Sequence, residues 1–311
     1  MTNRFTTLAS AGTVGDALEQ VAGALAAAEV YYGHGTDSAW DEAVQLVLAV
    51  AELPAESDDT VLAQPLAADQ AARMAALLQR RIDERVPLPY LLGHAWFAGL
   101  RLHCDERAII PRSPLAELIL CGFEPWYSGP SPTRILDMCC GGGCIGLASA
   151  WYLPDCEVDL LDLDPDALAL ARDNIALLGL HQRVRTLQSD LFSALGGERY
   201  DLVLANPPYV DAGDLATMPP EYQHEPALAL GSGDDGLDLT RRLLAQAEGF
   251  LHPWGLLVLE VGNSWEALEH AYPGVPFTWV EFEQGGHGVL VLTAKELRQC
   301  RESLHRSLIL D

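Results

Sequence analysis

The sequence predicts an α/β protein: a mostly parallel sheet of seven strands with helices on both faces, preceded by a small helical unit. Three observations predict it. From residue 134 onward, short apolar runs alternate with stretches of helical periodicity. Before residue 86 the apolar residues recur only at helical spacing, in Ala-rich segments. Near the end, only Gln284-Gly285-Gly286-His287 separates two apolar runs, so these must pair as a hairpin, and one of them must run antiparallel to the rest.

The helical unit comes first. Residues 14–32 set Val14, Ala17, Leu18, Val21, Leu25 and Ala28 on one helical face. Residues 37–50 do the same with Ala43, Val44, Leu46, Val47 and Val50, behind a cap at Asp37 or Ser38. A third helix is expected over 67–85, where the basic turn Arg80-Arg81 complements the helix dipole and Pro87 stops the helix. Pro87-Leu88-Pro89-Tyr90 marks a boundary. Residues 95–110 read as a β-hairpin turning near Gly99, and Pro111-Arg112-Ser113-Pro114 opens a helix through Leu115, Leu118 and Ile119. The expected organisation is a helical unit over 1–92, a linking hairpin over 93–112 and a larger α/β domain over 113–311. Within the last, strands are expected at 134–138, 157–163, 184–190, 200–206, 255–261, 277–283 and 288–293. Helices fit at 144–153, 164–179, about 236–251 and 264–271.

Composition narrows the function. With 311 residues, 49% hydrophobic and 20% charged, the chain can build a core and is not disordered. No uninterrupted apolar run approaches the roughly 18 residues of a membrane span, and none is expected. Met1-Thr2-Asn3-Arg4-Phe5-Thr6 lacks the basic-then-apolar form of a secretory leader, which points to the cytoplasm. Seven cysteines, three of them at Cys139, Cys140 and Cys144, fit free thiols in a reducing compartment. With no Cys-x-x-Cys pair, no metal site is expected. The net charge of −25 and pI near 4.5 oppose binding to phosphate backbones and favour a basic partner, although solubility alone accounts for the charge equally well.

Four constellations fall at the expected carboxyl ends of consecutive strands, where open α/β sheets bind ligands. The first is Asp137-Met138-Cys139-Cys140-Gly141-Gly142-Gly143-Cys144-Ile145-Gly146, whose glycines let a ligand approach the backbone at a helix N-terminus. Gly141-x-Gly143-x-x-Gly146 matches a dinucleotide fingerprint shared by nicotinamide and adenosylmethionine enzymes. The second is Asp162, about twenty residues beyond, a carboxylate suited to ribose hydroxyls; Asp164-Pro165 caps the next helix. The third is Ser189-Asp190-Leu191-Phe192, in which Asp190 can accept from an adenine amino group and Leu191 or Phe192 can flank the ring. The fourth is Asn206-Pro207-Pro208-Tyr209. Two prolines cannot continue a central strand, so the chain leaves the sheet with a stiff backbone. The Asn206 oxygen and the Pro207 carbonyl can each accept one hydrogen of a planar amino group, and Tyr209 can cover its face. A nicotinamide dehydrogenase needs no such sequence, and no Tyr-x-x-x-Lys or His–Asp constellation accompanies it.

Together these residues resemble a class I adenosylmethionine-dependent methyltransferase, and among these the HemK/PrmB-type protein-glutamine N(5)-methyltransferases, over nearly the whole chain. Ala95-Trp96-Phe97, Asp105-Glu106-Arg107, Pro111-Arg112-Ser113-Pro114 and Glu221-Tyr222-Gln223-His224-Glu225-Pro226 carry the resemblance. So do Gly236-Leu237-Asp238-Leu239-Thr240-Arg241-Arg242, Glu260-Val261-Gly262-Asn263-Ser264 and Gly285-Gly286-His287-Gly288. They are most similar to the branch that modifies large-subunit ribosomal protein three. The sister branch, acting on release factors, usually has Pro-Arg-Pro-Glu/Asp where Ser113-Pro114 stands. The glycine turn departs from the pattern: Cys140 replaces Thr and Gly142 replaces Ser.

The resemblance implies a Rossmann-like sheet with a terminal antiparallel hairpin, and S-adenosyl-L-methionine as donor with S-adenosyl-L-homocysteine as product. It implies a substrate-recognising helical domain and a basic ribosomal protein as partner, without direct nucleic-acid or membrane binding. Cofactor contacts are implied at Asp137, Cys139, Gly141, Gly143, Asp162, Asp190, Leu191 and Asn206. Asn206, Pro207, Pro208 and Tyr209 are implied as catalytic. Substrate contacts are implied at Asn206, Pro207, Tyr209, Arg112, His224 and Glu225, the last two on a loop at 211–235 over the site. Release-factor methylation, adenine-amino methylation of nucleic acid and a catalytically silent assembly factor remain the alternatives.

Overall fold

The computed structural model describes residues 11–306, so the leader reading of Met1–Thr6 lies outside the described residues. The chain forms two compact units, Met1–Ala95 with Pro219–His224, and Trp96–Met218 with Glu225–Asp311.

The first unit is built on α1 (Val14–Ala27), α2 (Ala39–Val50) and α3 (Ala68–Asp83). Thr13 and Asp16 form a reciprocal capping box on α1, and the Ser38 hydroxyl caps α2. Val14, Leu18, Val21 and Leu25 pack with Leu46, Val47, Met74 and Leu78 in one core. Helix α1 stops well short of residue 32: Glu29 takes a left-handed φ of 50°, which returns Val30 to that core. Arg81 does not serve as the exposed basic turn expected from sequence. It is 2% exposed, donating Nε to Glu42 (2.5 Å), Nη1 to Glu221 (3.1 Å) and Nη2 to the Tyr31 carbonyl (2.7 Å). Glu221 also accepts from the Tyr31 N–H at 3.0 Å, and the Tyr222 ring lies 4.6 Å from His34. The segment Pro219–His224 thus completes a unit whose other residues lie far earlier in the chain.

A short α4 (Leu88–Leu92) ends at left-handed Gly93. Strands β1 (His94–Phe97) and β2 (Leu100–His103) form the expected hairpin, turning through positive φ at Ala98 and Gly99. Helix α5 (Leu115–Leu120) precedes the main sheet.

That sheet contains β3 (Arg134–Met138), β4 (Glu157–Asp162), β5 (Val184–Gln188), β6 (Tyr200–Ala205), β7 (Leu251–Glu260), β8 (Thr278–Trp279) and β9 (Val289–Thr293). Their order is β5-β4-β3-β6-β7-β9-β8. The first five are parallel, and β9 runs antiparallel to both neighbours, the terminal hairpin read from sequence. Between β3 and β4 come α6 (Cys144–Tyr152); then α7 (Pro165–Leu178), α8 (Ala212–Thr217), α9 (Asp238–Ala247) and α10 (Trp265–Ala271) follow β4, β6, α8 and β7. Two helices not foreseen, α11 (Ala294–Gln299) and α12 (Arg301–Arg306), follow β9. Alternate strand residues feed two cores: Ile135, Leu202, Leu204 and Val258 on one face, Leu136, Val203, Leu257 and Leu259 on the other. Burial on both faces is why these strands read as continuous apolar runs.

Two strands differ in extent from expectation. β7 starts at Leu251 despite Pro253, because a register shift between Tyr200↔Leu251 and Leu202↔Leu256 leaves the intervening residues outside the ladder. β8 is two residues long: beyond it, the Glu283 and Gln284 N–H groups bond the Glu117 carboxylate instead of a strand.

Arg81→Met is expected to destabilise the first unit by about 3–5 kcal/mol, since it leaves the buried Glu42 carboxylate without its cation and Glu221 with Arg85 alone. Urea unfolding measures this, and an unchanged midpoint would refute it.

Candidate active site

The order of the sheet reverses at β3, which lies between β4 and β6, and the candidate residues gather at that end. After Met138, Cys139 takes a left-handed φ of 57° and the turn closes with the Gly143 N–H donating to the Cys140 carbonyl at 2.8 Å. Gly146 admits no side chain: a Cβ there would lie 2.3 Å from Leu160 and 2.9 Å from Asp137. That approach lets the fully buried Asp137 accept the Gly146 N–H (2.7 Å) through Oδ2, while Oδ1 has no partner. Burial pushes the Asp137 carboxyl up to about 7. A Cβ at Gly142, where the resemblance expects Ser, would lie 3.2 Å from the tip of Leu170, which would have to give by a few tenths of an ångström to admit it.

Asp162 ends β4 and faces the same turn. Its Oδ2 accepts the Gly141 N–H (2.8 Å) and its Oδ1 the Asp164 N–H (2.9 Å); burial raises its pKa. Asp164 caps α7 with Pro165 in its first turn, as read from sequence. At the end of β5, the Ser189 hydroxyl donates to the Leu191 carbonyl and supports a left-handed Leu191. Asp190 is paired by Arg242, whose Nη2 reaches both carboxylate oxygens at 2.8 Å. These residues line an open cleft of about 720 Å³ with Asn206, Pro208 and the apolar side chains of Met138, Leu161 and Leu239. A second cavity of about 510 Å³ lies on the other side of Cys139, Gly141 and Asn206, which line both; Arg112, Ser113 and Ile110 complete its wall.

Asn206 therefore stands where the two cavities meet. Its side-chain amide has no hydrogen-bond partner among the described residues. Pro207 and Pro208 are buried, and Tyr209 is held at several atoms. Its hydroxyl donates to Glu260 Oε1 (3.1 Å), its carbonyl accepts from the Ser264 hydroxyl (2.7 Å), and a Cβ on Gly262 would strike its ring at 2.4 Å.

Arg112 and Glu225 meet each other. The guanidinium forks onto both carboxylate oxygens, Nη2 to Oε2 at 2.7 Å, and Oε1 also accepts the Ile110 N–H at 3.0 Å. This fork fastens the start of the segment from which Pro226, Leu228 and Ala229 line the cleft. His224 belongs to the first unit, where its Nε2 lies 2.9 Å from the Glu84 carbonyl. Sequence reasoning gave no role to Arg242, Ser113 or Glu260. The Glu-x-Gly after β7 was noted only as part of a resemblance.

A parallel sheet ending in an antiparallel strand, with a glycine turn and Asn-Pro-Pro-Tyr at its switch point, defines a methyltransferase domain. The family described as the methyltransferase small domain matches residues 127–219. The ribosomal protein uL3 glutamine methyltransferase of Francisella tularensis is 44% identical over 94% of both chains. That of Bordetella pertussis is 43% identical over 92% of this chain and 96% of its own. This chain belongs to the family of ribosomal protein uL3 glutamine methyltransferases. Among solved structures, the hMettl16 catalytic domain in complex with a MAT2A 3′UTR hairpin aligns with 71% of this chain and 80% of its own, at 18% identity and a TM-score of 0.48.

Arg112→Met takes the guanidinium from the buried Glu225 carboxylate, and is expected to destabilise the second unit by about 3 kcal/mol. Adding Glu225→Gln should recover part of that loss in urea unfolding; no recovery would show that the fork is not its origin. Asp137 yields a pH dependence. At low pH both folded and unfolded chains hold its proton; as pH rises toward about 7 the unfolded chain ionises first. Stability should fall across that window relative to Asp137→Asn, by at most about 4 kcal/mol. A constant difference between the two proteins from pH 4 to 8 would refute it.

Proposed function

We propose that this protein transfers a methyl group from S-adenosyl-L-methionine to the side-chain amide nitrogen, N5, of a glutamine in uL3, releasing S-adenosyl-L-homocysteine. The observation that carries this reading is the unpartnered Asn206 amide at the junction of two cavities, ahead of two prolines that fix the backbone. It stands in a chain that shares 44% identity over 94% of its length with a uL3 glutamine methyltransferase.

The residues of the cleft fit the donor. Each Asp162 oxygen accepts one N–H and retains capacity for a further donor, which suits a ribose diol. Leu191, Met138 and Leu161 offer an apolar bed for a purine, with Asp190 at its edge. Asp137 shapes the turn by holding Gly146, and Cys139 and Gly141 present backbone to the ligand, whereas Gly143 closes the turn with its N–H on the Cys140 carbonyl and lines neither cavity. When bound, the sulfonium supplies an electrophilic methyl group.

A glutamine amide is a weak nucleophile because its lone pair is delocalised. Asn206 Oδ1 and the Pro207 carbonyl accept its two hydrogens and aim the nitrogen at the methyl, while Tyr209 packs on the amide plane. The N–C bond forms as the S–C bond breaks. The nitrogen becomes strongly acidic as its positive charge develops, and its proton leaves along a hydrogen bond already made. Positioning carries most of the rate and no strong base is required. Arg112 and Glu225 hold the wall of the site in this reading, and the first unit, with His224, recognises the substrate. The net charge of −25 favours a basic ribosomal protein and disfavours nucleic acid, so association should weaken with salt. The cytoplasm, where ribosomal proteins are made, is the proposed location.

The test is methyl transfer from labelled S-adenosyl-L-methionine to purified uL3 and a release factor side by side. Label on uL3 alone is expected, and should disappear when its acceptor glutamine is changed. Label on the release factor alone would reassign the substrate. Asn206→Ala should lower kcat by roughly a hundredfold or more while calorimetry shows donor affinity little changed; equal loss of both would refute its role.

A further inference from the structure

Tyr209 is gripped by one short segment, Glu260–Ser264, that the chemistry above does not use. Glu260 ends β7, is 5% exposed, and accepts two hydroxyls: Tyr209 on Oε1 (3.1 Å) and Ser113 on Oε2 (2.5 Å). The Ser113 oxygen accepts the Leu115 N–H (3.2 Å), which directs the Ser113 hydrogen to Glu260. Two residues on, Gly262 has a left-handed φ of 46° and leaves room for nothing between its Cα and the Tyr209 ring. Gly288 backs it: a Cβ there would lie 2.1 Å from the Gly262 carbonyl. Ser264 then donates to the Tyr209 carbonyl.

We propose that Glu260, supported by Ser113, is a positioning residue for methyl transfer: it sets the angle of the Tyr209 ring, which the reading above lays on the plane of the substrate amide. The inference rests on the role proposed above for Asn206–Tyr209. A carboxyl buried at this depth is costly, and burial raises its pKa. An apolar residue would fill the space at lower cost, but would take from the phenol hydroxyl the acceptor that Glu260 provides. The device joins three segments distant in sequence: the linker at Ser113, the exit of β6 and the end of β7.

The experiment measures kcat, KM for uL3 and donor affinity in Tyr209→Phe, Glu260→Ala, Glu260→Gln, Ser113→Ala and the Tyr209→Phe/Glu260→Ala pair. Glu260→Ala and Tyr209→Phe should each lower kcat roughly tenfold or more with donor affinity unchanged. The pair should be no worse than the poorer single variant. Glu260→Gln, whose Oε1 still accepts the phenol, should recover most of the activity, a rescue that loss of stability alone does not produce. Ser113→Ala, which removes one hydroxyl and no buried carboxyl, carries the test if Glu260→Ala does not fold; its kcat should fall several-fold. Additive losses, an unaltered kcat, or kcat and donor affinity falling together would overturn the inference while unaltered enzyme methylates uL3. Failure of the unaltered enzyme to methylate uL3 would overturn the proposed substrate and this inference with it.

Discussion

β6 is bonded on both sides, and its last residue, Ala205, is in register with Met138 of β3 and Leu259 of β7. A strand so placed cannot fray at its end. Pro207 and Pro208 then withdraw two N–H donors in succession, so the ladder must stop and the backbone must find other partners. It finds them in loops. Val210 exchanges bonds with Leu230 and Ser232, and the Tyr209 carbonyl takes Ser264. The loops after β7 and around Gly288 are shaped to this exit: Gly236, Gly262 and Gly288 stand where any side chain would collide with Tyr209 or with the glycine beside it. The stiffness of one tetrapeptide thereby dictates the course of three loops, and the walls of both cavities follow.

The glycine turn poses a chemical problem for the methyl transfer proposed above. Cys139, Cys140 and Cys144 lie at the cavities, with Cys104 on the same wall, and a thiolate is a far better nucleophile than an amide nitrogen. Burial pushes all four thiols well up from their ordinary range, and the carboxylates of Asp137 and Asp162 reinforce the effect at Cys139 and Cys140. They are therefore held as neutral thiols. In the reaction proposed above, burial, reinforced by the carboxylates that shape the turn, would keep these sulfurs from competing for an electrophilic methyl group.

Much of this was legible in the sequence, for identifiable reasons. Ser38 and Asp164-Pro165 announce helix starts because capping is local chemistry, and both act as read. The central strands show themselves because both faces are buried. The four constellations at the strand ends were visible because glycine, proline and acidic residues interrupt apolar runs at regular intervals. What escaped were contacts between residues far apart in the chain. Arg81 looks like any basic residue at a helix end, yet its partner Glu221 lies 140 positions away. Ser113 and Glu260 are 147 positions apart, Arg112 and Glu225 are 113 apart, and nothing periodic links them. A charged residue in a sequence reads by default as solvated, and only the fold reveals which ones are not.

The first unit is not one continuous stretch of chain. Its deepest carboxylate, Glu221, is supplied by a segment that lies after six of the nine strands. A gene fragment ending near residue 95 would encode the helices and omit the anion that two arginines share. Such a protein cannot be assembled by fusing a helical module to a catalytic one at a single seam. Exchange of the helical module between relatives, by recombination or by design, would have to carry the distant hexapeptide along. Substitutions at Arg81 and Glu221 should consequently be inherited as a pair, even though most of the open reading frame between them encodes the other unit.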